Sequence, residues 1–350
     1  MINIDQYALS LSSTILDALY KLEELSHHHI MVLFALGQDQ KIKGTVTVGD
    51  VRRGLIGGLS LSSTVEEVMN ANFTYLTAGD FDTEKLKFIK RAQLSIVPLL
   101  DKDGFLVKIL NFQTQKSFLP IDAVLMAGGR GERLRPMTLT TPKPLLEVAG
   151  KPIIDYNIDN ILDHGIEHIN VTTNYLAEQF DAHFAKPCRS IQVRCVRETE
   201  FLGTMGSVKF IPSWHNDTIL VMNSDLFTNV DLEDFFLHFK EHDADMSVAA
   251  VPYSVSIPYG IFEIEGARNI KGIREKPSFH YYANAGIYLI KRQVLDLVPD
   301  GEPFNATDLI DLLIARGRSV IRFPLSGYWV DIGKPEDFKK VQELAKHTGK

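Results

Sequence analysis

From residue 121 onward, short apolar runs alternate with stretches of helical period, and this alternation narrows the possible folds more than any other feature of the chain. An apolar run over 121–126 ends in Gly128-Gly129. A helix is predicted from Pro152, carrying Ile153, Ile154, Ile158, Ile161 and Leu162, with another over 177–184. Strands are predicted at 169–173, 191–196 and 219–222. Such an order implies an α/β fold: a mostly parallel sheet covered by helices on both faces. Ligands of such sheets bind beyond the carboxyl ends of the strands.

The first third reads differently. Residues 12–25 place Ile15, Leu16, Leu19, Leu22 and Leu25 at helical spacing, followed by strand-like stretches at 30–36 and 43–48. A second copy starts near Val65, with Leu86 and Ile89 in a helical stretch and strands at 96–100 and 105–110. Helix, strand, turn, strand, twice over, predicts paired α+β modules. The polar, aperiodic stretch 112–120 reads as a linker. The expected domains are 1–115 for the pair, 116–120 for the connection and 121–350 for the α/β part, a division that suits 350 residues.

The net charge of -7 argues against nucleic-acid or anionic-membrane surfaces, which need a basic footprint. Cys188 and Cys195 read as small apolar fillers kept reduced. The start, MINIDQYALSLSS, has neither the basic nor the apolar region of a secretory leader. No apolar run approaches the roughly 20 residues needed to span a bilayer. A cytoplasmic location is expected.

The motif richest in chemistry is Leu125-Met126-Ala127-Gly128-Gly129-Arg130-Gly131-Glu132-Arg133-Leu134-Arg135-Pro136, continuing to Pro142-Lys143-Pro144. A buried strand running into glycines lets backbone N–H groups approach a polyphosphate. Arg133 can fork onto phosphate oxygens, and Lys143 adds a second cation. A dinucleotide fingerprint would need a third glycine where Leu134 stands, and no Gly-Lys-Ser/Thr follows as in a P-loop. Downstream lies Glu198-Thr199-Glu200-Phe201-Leu202-Gly203-Thr204-Met205-Gly206-Ser207. Its glycines can seat a flat base against backbone, and the helix start they open can face an anion.

Residues 121–350 resemble the nucleoside-diphosphate-sugar pyrophosphorylases, whose signature is this G-G-x-G-x-R-L-x-P loop followed by P-K-P. The resemblance implies a Rossmann-like sugar-1-phosphate nucleotidyltransferase. Ala127, Gly128, Gly129, Gly131 and Arg133 would then line the NTP phosphates, Lys143 would bridge the two substrates, and Gly203 and Thr204 would hold the base. Glu198 can accept from the N1–H and N2–H₂ edge of guanine, although the loop alone also admits uracil or thymine. Asp225 and Asp331, each ending an apolar run, match the family's metal-binding aspartates and suit Mg²⁺. Lys276 would hold the sugar phosphate, while Tyr259, Gly260, Glu275, Asn284 and Gly286 would face the sugar. The cluster His27-His28-His29 precedes a strand in the first third and reads as surface.

The N-terminal part resembles a tandem CBS pair. Its first copy carries Gly44-Thr45-Val46-Thr47-Val48-Gly49-Asp50, which makes Thr47 and Asp50 candidates for an adenosine nucleotide; the second, Lys108-Ile109-Leu110-Asn111-Phe112-Gln113-Thr114, lacks the acid. A CBS pair on this catalytic domain is similar to the glucosamine-1-phosphate guanylyltransferases of bacterial legionaminate synthesis. The expectation is GTP with glucosamine-1-phosphate, mannose-1-phosphate second, and a uridylyl- or thymidylyltransferase after these. Homo-oligomerisation through either part is also expected. A non-catalytic nucleotide sensor is the alternative of another class.

Overall fold

In the computed structural model, residues 4–26, 31–79 and 81–348 are described. The histidine run lies outside them. The chain divides into two compact units, 1–120 and 121–350.

The first unit contains β1 (Ala8–Ser10), α1 (Ile15–Leu25), β2 (Val32–Leu36), β3 (Ile42–Thr47), α2 (Val48–Ile56), α3 (Val65–Val68), β4 (Leu76–Thr77), α4 (Thr83–Arg91), β5 (Ile96–Leu100) and β6 (Leu106–Asn111). Its strands form two three-stranded sheets of one topology. In each, the first strand runs parallel to the second and the second antiparallel to the third. The internal repeat is therefore strand, helix, hairpin, twice. Helix α1 buries Ile15, Ala18, Leu22 and Leu25 along one stripe, the i, i+3, i+7 spacing of an amphipathic helix. Thr14 with Asp17, Thr47 with Asp50 and Thr64 with Glu67 form reciprocal capping boxes at the starts of α1, α2 and α3. The 116–120 stretch is packed rather than free: Ser117 and Leu119 are buried, and Phe118 rests against the cluster of Leu76, Ile89, Val97, Leu99 and Leu110.

The second unit runs β7 (Ile121–Ala127), β8 (Glu147–Val148), β9 (Lys151–Pro152), α5 (Ile153–Asp163), β10 (His168–Thr173), α6 (Ala177–His183), β11 (Arg194–Arg197), α7 (Gly203–Gly206), β12 (Thr218–Asn223), β13 (Leu226–Thr228), α8 (Leu232–Glu241), β14 (Met246–Ser256), β15 (Ile261–Glu265), β16 (Asn269–Arg274), β17 (Ser278–Lys291), α9 (Ala306–Ala315), β18 (Val320–Pro324), β19 (Trp329–Asp331) and α10 (Pro335–Thr348). Seven strands make the central sheet, in the order β11-β10-β7-β12-β17-β14-β18. All run one way except β17, which is antiparallel to both neighbours. β7 is buried almost throughout, as a strand covered on both faces must be. Its one acid, Asp122, is 1% exposed and satisfied by His215 N at 2.6 Å, Asn216 N at 3.2 Å and Asn216 Nδ2 at 2.7 Å.

The chain leaves β7 for β10 on one side and later returns to β12 on the other. That reversal opens a crevice at the carboxyl ends of the strands, the place where such sheets bind ligands. The strand predicted at 191–196 begins only at Arg194. Before it, Arg189 (φ 47°) and Ser190 (φ 72°) form a tight turn closed by reciprocal bonds between Cys188 and Ile191, both 2.8 Å. Beyond the sheet, β14 and β17 continue as a two-stranded ribbon that carries the β15–β16 hairpin. No helix among the described residues is long and apolar enough to cross a membrane.

Candidate active site

A cavity of about 430 Å³ opens at the carboxyl ends of β7 and β12. It gathers Ala127, Gly128, Gly129, Gly131, Arg133, Lys143, Glu198, Gly203, Thr204 and Asp225 from four separate segments.

The glycine loop needs its glycines for space and conformation. Gly131 is left-handed (φ 59°, ψ 34°), and a Cβ there would lie 3.0 Å from Thr138 Cγ2 and 3.1 Å from Lys143 Cβ. The Thr138 hydroxyl donates to Gly131 O at 2.8 Å and locks the turn. At Gly128 a Cβ would lie 2.6 Å from Glu198 Oε1, so the absent side chain is what lets the acid approach. Arg133 follows in a 3₁₀ turn, its guanidinium against Gly333.

Lys143 is 7% exposed. Its Nζ pairs with Asp225 Oδ2 and lies 3.4 Å from Asp331 Oδ1. The two acids, distant in sequence, meet because β13 and β19 pair with Leu226 opposite Asp331. Ser224, whose Oγ donates to Met126 O at 2.5 Å, and buried Asn157 of α5, which donates to Leu226 O at 2.9 Å, hold the Asp225 turn in place. A buried ammonium between two carboxylates is stable only as a set, since removing the cation leaves like charges facing each other.

Glu198 is 5% exposed, and its Oε2 has no hydrogen-bond partner. Burial pushes its carboxyl up to about 6, against a smaller opposing effect of the Thr172 hydroxyl. An unsatisfied buried acceptor in a cavity wall is costly unless something that binds there donates to it.

The expectation that the start of α7 faces an anion is not met. Met205 N and Gly206 N both donate to Phe304 O at 2.9 Å, and Thr204 N lies 3.5 Å from Asn305 Oδ1. The Thr204 hydroxyl accepts from Ala306 N at 2.7 Å. These groups fasten the loop to the start of α9 instead. Glycines at 203 and 206 let it pack against residues 302–305.

The residues expected to meet the sugar do not line this cavity. Tyr259-Gly260 and Glu275-Lys276 sit where the ribbon meets the hairpin, with Gly260 against Glu275 Oε2 and Tyr259 72% exposed. Asn284 is turned inward on its own strand: its Nδ2 donates to Tyr288 OH and its Oδ1 accepts from Gly286 N, both 2.9 Å. Gly286 alone reaches the cavity rim, through Asn223, whose side chain packs on it. Asn223, Ser224, Phe201, Asn305 and Gly333 line the cavity without having been expected there. In the first unit, Thr47 and Asp50 cap α2, and Asp50 also pairs with Arg53. Both cysteines are free thiols, and burial beside Asp181 pushes Cys195 up to about 11, which keeps it unreactive.

Residues 122–347 match the family model described as nucleotidyl transferase. The chain is 31% identical over 226 residues to a mannose-1-phosphate guanylyltransferase of Mycobacterium tuberculosis, a match covering 62% of each protein. It is 30% identical over 223 residues to mannose-1-phosphate guanylyltransferase catalytic subunit beta of Drosophila melanogaster (62% of this chain, 60% of that one) and over 226 residues to mannose-1-phosphate guanylyltransferase 1 of Arabidopsis thaliana (62% of each). The match thus spans about three fifths of the length of these relatives. A Bacillus anthracis protein solved in complex with a sucrose shares the fold, with a TM-score of 0.51 and 23% identity over 65% of this chain and 95% of that one. Over residues 122–347, which hold the glycine loop, Lys143 and both aspartates, the chain belongs to the nucleotidyl transferase family.

Proposed function

We propose that the chain is a sugar-1-phosphate guanylyltransferase, which joins GMP from GTP to a sugar-1-phosphate and releases pyrophosphate. The observation that carries this reading is the placement of Glu198. A buried carboxylate with an open acceptor sits in the same cavity as Arg133, Lys143 and the glycine loop. Guanine offers it two adjacent donors, N1–H and N2–H₂, whereas uracil and thymine offer one.

The sugar phosphate brings its own nucleophile, so no covalent side chain is required. One of its oxygens attacks the α-phosphorus of GTP. A P–O bond forms as the bond to the β-phosphate's bridging oxygen breaks, and pyrophosphate leaves with that electron pair. The protein aligns two polyanions and neutralises charge as it develops. Arg133 would fork onto phosphate oxygens, and Lys143, held between the acids, would bridge the two substrates. Among the described residues no cluster of three or more potential ligands is placed to hold a metal alone. Two carboxylates, Asp225 and Asp331, nonetheless suit a hard cation that completes its shell with phosphate and water oxygens. Mg²⁺ bound there would supply further charge neutralisation.

For the sugar, the resemblance of residues 1–115 to a CBS pair, on the same chain as the catalytic domain, supports glucosamine-1-phosphate. The relatives named above favour mannose-1-phosphate as a second reading. The Tyr259-Gly260 and Glu275-Lys276 loops, with Asn284 and Gly286, are the proposed sugar side. In the first unit an adenosine nucleotide at Thr47 and Asp50 would have to compete with Arg53 for the acid. Pyrophosphate release across a panel of NTPs and sugar phosphates tests the assignment: no release with GTP and any sugar-1-phosphate sinks it.

A further inference from the structure

Phe201 lines the cavity that holds Glu198 and Gly203, yet 66% of its surface is open. Single exposed apolar side chains are ordinary on protein surfaces, but the setting of this one is not. Its loop is fastened on both sides: Glu198 N donates to Thr173 O at 2.8 Å, and Phe304 N donates to Leu202 O at 2.8 Å. Leu202, the next residue, is itself buried. The backbone therefore holds the ring at the cavity mouth and cannot fold it into the core. Much of the surrounding wall is glycine, serine, threonine, asparagine and charged groups, so little there matches a flat ring.

Resting on the guanylyltransferase reading, we propose that Phe201 is the stacking face of the nucleotide site, covering a base whose edge meets Glu198. Stacking needs only a π-face, so Phe201 supplies affinity while Glu198 supplies the choice of base.

The test is equilibrium binding to the intact protein of GTP and of inorganic tripolyphosphate, which has the phosphates and no base. Phe201→Ala should weaken GTP roughly 5- to 100-fold, the range for losing one base–aromatic stack, and leave tripolyphosphate unchanged. Phe201→Trp should restore GTP binding. The proposal is overturned if Phe201→Ala binds GTP like the wild type, or if it loses tripolyphosphate in proportion, which would mark a collapsed loop. Arg133→Ala separates this from failure of the site itself. Loss of tripolyphosphate in that variant keeps the phosphate reading whatever Phe201 does; unchanged binding of both ligands removes that reading and this proposal with it.

Discussion

Leu226 and Asp331 are register partners across β13 and β19, and this single pairing brings Asp331 beside Asp225, which immediately precedes β13. Lys143 closes the arrangement from the loop after β7. The two acids of the site are thus brought together by backbone pairing.

Replacing the cation tests that arrangement. Lys143→Ala should lower pyrophosphate release by roughly 10²–10³, the usual cost of one preorganised charge contact. Asp225→Ala and Asp331→Ala should do the same, with far-UV circular dichroism unchanged. Wild-type turnover in Asp225→Ala would remove that acid from the mechanism.

Glu198 gives the site a pH signature. Its carboxyl is raised to about 6 in the folded protein, against 4.5 without burial. Above pH 6 it is ionised and, on the guanylyltransferase proposal, would accept from guanine; below, it is protonated. GTP affinity should therefore rise with pH through about 6, and Glu198→Gln should abolish that rise. Stability moves the other way. A raised folded value means that stability is fully present below pH 4.5 and lost as pH climbs through 6, by about 2 kcal/mol. Thermal melts across that window should show the decline in wild type and not in Glu198→Gln.

Gly131→Ala forces an L-residue into the left-handed region, at about 1–2 kcal/mol, and pushes a methyl toward Thr138 and Lys143. Activity should fall more than stability. A variant with normal kcat/KM would show that the turn has room to spare.

Asp122→Ala strips three donors of their acceptor at the amino end of β7, away from the cavity. Stability should drop by about 2–4 kcal/mol, while the folded fraction keeps its kinetic constants. Urea denaturation and activity per folded molecule check both halves.

Asp50→Ala removes a cap and should cost about 1 kcal/mol in the first unit. If that unit takes an adenosine nucleotide, AMP raises the melting temperature of wild type and not of this variant. No shift in wild type ends the regulatory reading.

The parallel strands were legible because strands buried on both faces are nearly continuous in apolar residues, as 121–127 shows. The glycine loop was legible because no other residue tolerates φ 59° at 131 so cheaply. Other features depend on partners far along the chain. The α7 amides look available locally, yet Phe304 O, a hundred residues away, takes two of them. Asn157, Asn223 and Asn305 are unremarkable polar residues until tertiary packing sets them against Leu226 O, Gly286 and Gly203. The strand predicted from 191 failed because apolar content says nothing of the turn at Arg189 and Ser190. The sugar-side motifs fell on a ribbon whose reach beyond the sheet no local pattern encodes.

The 2.6 Å between Glu198 Oε1 and the place where a Cβ on residue 128 would stand ties two positions into one heritable unit. A lineage that trades the acid for something shorter releases position 128 to drift away from glycine. Once a side chain has settled there, the acid can return only with its carboxylate shifted. A change by this route would be readable in descendants as two linked replacements rather than one.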